Sequence, residues 1–317
     1  MIFKILRRIA IFVTCVAMLF SLFACKPSKH EYSSDLIRFT DALGRELEIE
    51  KNPSRVAALL GSFADVWTLA GGELCAAAED AWEDFGLELT DAVNIGGAHS
   101  PSLELLVSAE PELVLASAST ASNVAMREAL EGMGIAVIYF EVDNFEDYLT
   151  MLDICTDITG RKELYERNGA DIAEQIDRIK KDFSSAGLDE SERRVLLLRA
   201  SAGMVKAKGS EGTILGEMLK DIGCINIADS DSSRLENLSV EAVIREQPHH
   251  IFVVTMGNDT EAAKRSLTKM MEENPAWSTL EAMRENRLHL MEKELFNIKP
   301  NARWAEAYEK LYETLVG

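Results

Sequence analysis

The sequence predicts an α/β protein of two lobes, each built on a parallel sheet, with a helical connector between them. Three observations predict it. Short β-rich runs alternate with helical patterns on both sides of the chain's middle. Between them, about 40 residues from Phe145 to Ser185 show helical spacing, with Gly160 and Gly169 as the candidate breaks. A short pattern also occurs once in each half. In the first half Ser102-Leu103-Glu104 is followed seven residues on from the glutamate by Pro111, then Leu113-Val114-Leu115; in the second, Ser239-Val240-Glu241 is followed at the same seven by Pro248, then Ile251-Phe252-Val253. Each reads as a short helix that opens on Ser-x-Glu and stops at proline, because the residue before proline avoids helical angles. Each then feeds a buried strand.

The elements follow in order. Met1 to Arg8 carries three positive charges and no acid, and an apolar stretch of about 15 residues runs from Ile9 to Phe23, the layout of a secretory signal. That stretch is shorter than the roughly 20 residues a membrane-spanning helix needs. It ends at Leu22-Phe23-Ala24-Cys25, which resembles a lipobox. The resemblance implies a signal peptide over residues 1–24, cleavage before Cys25, and a diacylglycerol on the Cys25 sulfur. The protein is then lipid-anchored on the outer face of the bacterial cytoplasmic membrane, held by at least two acyl chains at about 0.8 kcal/mol per buried methylene. An uncleaved anchor helix is the alternative. Residues 25–37 read as the lipidated tether, polar and without apolar period.

Roughly 280 residues remain, more than one compact core usually takes. Residues 38–144 form the N-terminal lobe, with strands expected at Val56 to Leu60, Leu74 to Ala78, Leu113 to Ala116 and Ala136 to Phe140 and helices opening near Ser62, Ser100 and Ser122. Residues 145–190 form the connector, in which Arg161 to Ser185 reads as one long helix. Residues 191–317 form the C-terminal lobe, with strands near Val195 to Arg199 and Ile251 to Val254.

Composition excludes several classes. The formal charge is −20, and removal of residues 1–24 with Lys4, Arg7 and Arg8 takes it to −23. A nucleic-acid partner needs a basic footprint, which this chain lacks. Cys75, Cys155 and Cys224 are far apart and form no CxxC pair, so neither a zinc site nor a disulfide framework is indicated; a single disulfide between two of them stays open. Five histidines without a spaced cluster speak against a receptor for free zinc or manganese. A lipid-anchored enzyme on a doubly wound fold is the rival class, yet GxSxG, HExxH, GxGxxG after the first strand and GK[ST] after Gly209 are all absent.

Phe39-Thr40-Asp41-Ala42-Leu43-Gly44-Arg45, Pro53-Ser54-Arg55-Val56, the two Ser-x-Glu units, and Gly209-Ser210-Glu211-Gly212-Thr213 leading into a helix together resemble the periplasmic-binding-protein family for iron chelates and vitamin B12. The match covers nearly everything after the tether. It implies the class III fold: two Rossmann-like lobes joined by a single long connector helix, with ligand in a shallow cleft and little hinge closure. It implies a monomeric solute receptor of an ABC importer, without cofactor or catalysis, that delivers a metal chelate to a permease dimer and its ATPase subunits. It also implies that Glu104 and Glu241 dock on permease arginines. Read from the residues alone, both are first-turn acids stabilised at the positive end of a helix.

Ligands of open α/β sheets sit outside the carboxyl ends of the strands. That rule selects Ser62 and Phe63, Asp80 to Trp82, His99 to Ser102 and Ser117 to Thr120 in the first lobe. In the second it selects Arg199, Ser201, Met256, Phe296 and Asn297. The ligand-binding set drawn from these is Phe63, Trp82, Ser102, Ser119, Arg199, Ser201, Met256 and Asn297. Trp82 either stacks on a flat ligand or anchors its own loop. Arg199 ends the apolar run Val195 to Leu198 and either meets ligand oxygens bidentately or forms an ion pair. His99 is a haem-iron ligand or a loop residue, His249 and His250 are structural, and Asp65 forms an acidic capping box with Ser62. Arg199 and Trp82 together favour a ferric siderophore; haem and cobalamin are the alternatives.

Overall fold

A computed structural model describes residues 36–230, 240–257 and 259–317. The signal, Cys25 and Ser239 lie outside the described residues. Strands β1 (Leu36–Thr40) and β2 (Glu46–Glu50) form a two-stranded sheet. Their turn is closed by buried Asp41, which accepts hydrogen bonds from the backbone N–H groups of Leu43 and Arg45, each at 3.0 Å.

The first large sheet contains β3 (Val56–Ala58), β4 (Ala76–Ala77), β5 (Val93–Asn94), β6 (Leu113–Ser117) and β7 (Ala136–Phe140), in the order β5-β4-β3-β6-β7. All its pairings are parallel. The second contains β8 (Arg194–Ala200), β9 (Val205–Lys208), β10 (Ile225–Asn226), β11 (His250–Thr255) and β12 (Leu288–Met291), in the order β10-β8-β11-β12, with β9 antiparallel to β8. Winding turns back between β3 and β6 in the first sheet and between β8 and β11 in the second. These are the points where open α/β sheets hold ligands.

Between the sheets, the helix Phe145–Thr159 starts on a capping box of Asn144 and Asp147 and ends at Gly160, whose φ of 69° a side chain would disfavour. Helical structure resumes at Lys162 and continues to Ser185 through a π segment at Glu166–Ala170. The sequence expects one helix there, and the π segment is the difference. Gly169 lies inside it, packed so that a Cβ would meet Leu149 and Leu152 at 3.1 and 3.2 Å.

Successive strand residues face opposite sides, and the core divides accordingly. Leu196, Leu198, Ile251 and Val253 pack with Trp277 and Leu280, and Ala57, Leu59, Val114 and Ala116 pack on the far face of the first sheet. The intervening residues of both sheets, Val56, Leu113, Val195, Leu197 and Phe252 among them, join one cluster with the connector and the last helix, Trp304–Val316.

From Val240 onward the second copy of the repeated pattern matches the first. The helices Leu103–Ser108 and Val240–Glu246 are each followed by a residue with left-handed backbone before proline, Glu110 (φ 47°) and Gln247 (φ 43°). Arg55, just before β3, donates from Nε to Ala109 O and Glu110 O; Arg194, opening β8, donates from Nε to Glu246 O and pairs with the Glu246 carboxylate. The backbone N–H groups of Glu112 and His249 donate to the carbonyls of the same two arginines, at 2.8 and 2.7 Å. In both halves an arginine at a strand start thus satisfies carbonyls that a helix C-terminus leaves open.

Candidate ligand cleft

The carboxyl ends of the first sheet gather four segments. The helix Gly61–Leu69 leaves β3 at once, and Gly61 lies so close to the next loop that a Cβ would stand 2.5 Å from Ala81 N. Asp80, opening the helix Asp80–Glu83, is half-buried; burial pushes its carboxyl up, and Oδ1 has no hydrogen-bond partner among the described residues. Ser117 and Ser119, at the end of β6, stand 3.1 Å apart through their hydroxyls. Fully buried Asn123 accepts from Ser117 N at 3.0 Å and supports this corner, while the hydroxyl of Ser122 beside it has no hydrogen-bond partner among the described residues.

At the end of β8, Arg199 is half-buried, and its Nε also lacks a hydrogen-bond partner among the described residues. Burial lowers its pKa, and no ion pair joins it among the described residues. Buried polar atoms are ordinarily satisfied; among the described residues Asp80 Oδ1 and Ser122 Oγ, beyond strands of the first sheet, and Arg199 Nε, at the end of β8 in the second, are among those that are not.

Three residues near the last helix tie the two sheets' loops together. Lys293 donates to Asp84 at 2.7 Å. Lys299 lies over the Phe63 ring with Nζ 5.8 Å from its centroid, near enough to Asp80 and Asp143 for their charges to oppose the lowering that burial imposes on its pKa. Asn301, fully buried, donates from Nδ2 to Ser62 O at 2.9 Å and to Asp65 Oδ2 at 2.8 Å. Sequence reasoning missed all three. The one signal in the sequence was Lys299-Pro300-Asn301 ahead of the last helix, where the structure gives Asn301 a left-handed φ of 50°.

The sequence-selected residues are placed unequally. Phe63 is 1 % exposed, edge-on to Phe140 at 6.0 Å, so its ring belongs to the core and Lys299 covers it. Trp82 lies on the helical turn Asp80–Glu83, not in a loop, and packs half-buried against the main core. Ser102 spends its hydroxyl as the N-cap of Leu103–Ser108, accepting from Leu105 N at 3.3 Å. Ser201 closes the β8–β9 turn, donating from N and Oγ to Met204 O at 2.9 and 3.2 Å. Met256 is exposed beyond β11, and Asn297 is half-exposed as the C-cap of Lys293–Phe296. Asp65 caps nothing: its helix starts at Gly61 without a side-chain cap, and its carboxyl, raised by burial, is met by Asn301. Glu104 and Glu241 are both exposed in the first turns of the two repeated helices.

Among the described residues no three His, Cys, Asp or Glu side chains group as a metal ion would require, and no helix is long and apolar enough to cross a membrane. Cys75, Cys155 and Cys224 are free thiols.

Comparison with known proteins supplies the family. The model of the periplasmic binding protein family matches residues 56–295. The iron-uptake system-binding protein of Bacillus subtilis (strain 168) is 22 % identical over 230 residues, covering 72 % of this chain and 68 % of that protein. Staphylococcus aureus SirA complexed with staphyloferrin B shares the fold with a TM-score of 0.70 at 20 % identity, over 88 % of this chain and 98 % of SirA. The periplasmic vitamin B12 binding protein BtuF of Vibrio cholerae shares it with a TM-score of 0.65 at 16 % identity, over 83 % and 96 % of the two chains. With the class III architecture of two sheets and a helical connector in place, the chain belongs to the periplasmic binding protein family.

Proposed function

We propose that this protein is the lipid-anchored receptor of an ABC importer, capturing a ferric siderophore or related iron complex and delivering it to the permease dimer and its ATPase subunits. The observation that carries the reading is Arg199. A half-buried guanidinium with an unsatisfied Nε and no counter-ion among the described residues, at a strand end of a chain with charge −20, is suited to an anionic ligand. The iron-uptake relative and the siderophore-bound SirA support iron chelates over other solutes. In this reading the lobes are residues 38–144 and 191–317, the connector is 145–190, Cys25 carries the lipid, and Glu104 and Glu241 meet the permease. In the same reading ligand contacts come from Arg199, Trp82, Ser119, Met256 and Asn297, joined by Asp80 and Lys299.

Fluorescence titration tests it. Trp67, Trp277 and Trp304 are each at most 1 % exposed, so contact quenching by a chelate reports mainly on Trp82. Saturable quenching by a ferric siderophore, diminished in Trp82→Phe and weakened in Arg199→Gln, is expected. Tight binding of cobalamin or haemin alone would transfer the assignment to that ligand, and turnover of any of them would end the receptor reading.

A further inference from the structure

Arg199 does not stand alone. Leu196, Leu198 and Ala200 of β8 face the cluster around Trp277, as does Ala207 of β9. Arg199 therefore points to the other side of the sheet, with Val195 and Leu197, and so do Lys206 and Lys208. In the antiparallel register Arg199 lies directly opposite Lys206, and Leu197 opposite Lys208, so the three cations occupy adjacent positions on one face. Residues so paired bring their Cβ atoms within roughly 5 Å, where like charges destabilise the sheet. No carboxylate is ion-paired with any of the three among the described residues. Nearby Glu211 is paired with Lys220, and Asp229 accepts hydrogen bonds from Ser210. A very acidic chain thus sets three neighbouring, mutually repelling cations on β8 and β9 near the carboxyl end of β8, with none of them ion-paired among the described residues.

We infer that Arg199, Lys206 and Lys208 form one anion-binding face and that the transported chelate presents at least two carboxylate groups to it. The inference rests on the receptor reading and narrows its ligand class. Two sources carry that chemistry: a ferric chelate of a polycarboxylic acid, and haem through its propionates. Chelates whose donors leave no free anionic oxygen, such as a ferric tris-hydroxamate, and the neutral corrinoids lack it.

The test is calorimetric titration of the purified protein with ferric citrate, haemin, a ferric tris-hydroxamate without free carboxylates, and cyanocobalamin. Binding of ferric citrate or haemin is expected, with affinity that falls as salt rises. Lys206→Gln and Lys208→Gln should each weaken it roughly 10-fold and Arg199→Gln by more, as loss of a charge-assisted bond implies. Whichever of the two probes the substitutions weaken identifies the source. Without chelate, Lys206→Gln should melt above the parent protein, because a like-charge pair is removed; a residue that merely supports the strand would not do both. Preference for the tris-hydroxamate or for cyanocobalamin, or equal carboxylate affinity in the triple Gln variant, would overturn the inference and leave the receptor reading standing. Failure of every probe to bind would overturn that reading and the inference with it.

Discussion

Acidification from pH 7 to pH 5 should destabilise this protein through His250. The side chain is buried where β11 begins, and its Nδ1 stands 2.9 Å from Nε2 of His289 on β12. Burial first, then the charges of His289, His249 and Arg287, push its pKa down to about 3. In the unfolded chain the value returns to about 6.5. A base with a depressed native pKa leaves stability intact above its unfolded pKa and erodes it as pH falls, because only the unfolded state takes up the proton. The loss is about 1.4 kcal/mol per pH unit between 6.5 and 3, hence about 2 kcal/mol at pH 5. In a protein of this size that lowers the Tm by roughly 4–8 °C. His249 and His289, also lowered mainly by burial, add to the loss. Thermal melts at pH 7, 6 and 5 on the parent and His250→Gln proteins measure it. The variant's Tm should fall by a visibly smaller amount across the series, and equal falls in both proteins would refute the reasoning.

Four further outcomes are expected. Asn301→Ala removes the donor to Ser62 O and Asp65 and should cost about 1–3 kcal/mol in denaturant unfolding, since buried acceptors lose their partner. Gly61→Ala drives a methyl against the backbone of Asp80 and Ala81, so a loss of about 1–3 kcal/mol and weaker ligand binding are expected from melts and titration. The double variant Glu104→Ala, Glu241→Ala should bind ligand normally yet fail to support uptake in cells, each exposed pair contributing only about 0–1 kcal/mol. Cys25→Ser should move the protein from the membrane fraction to the soluble one, as immunoblotting of fractionated cells would show.

Much of the fold was legible because it is written in local periodicity. The apolar run Val195 to Leu198 and the strand Ile251 to Val254 announce buried parallel strands, and the charged helical pattern after Phe145 announces the connector. The Ser-x-Glu pattern was legible for a further reason: Pro111 and Pro248 fix where each helix must stop. The arginines that answer each other across the two halves were not recognised as equivalents, because Arg55 and Arg194 lie about 50 residues from the carbonyls they satisfy and no short spacing encodes that pairing.

By itself the sequence determined the α/β class, the order of lobe, connector and lobe, and the acidic background against which any cation near a strand end stands out. Only the tertiary structure decided which strand-end residues are free to meet a ligand. Phe63 and Ser102 satisfy the same positional rule as Arg199, but packing buries the first and capping engages the second. Conversely, Lys299 and Asn301 reach the Phe63 corner from near the far end of the chain, by a return path that no local pattern records. The physical reason is that strand and helix propensity act over neighbouring residues, whereas burial and the satisfaction of a polar atom depend on whatever the completed fold brings against it.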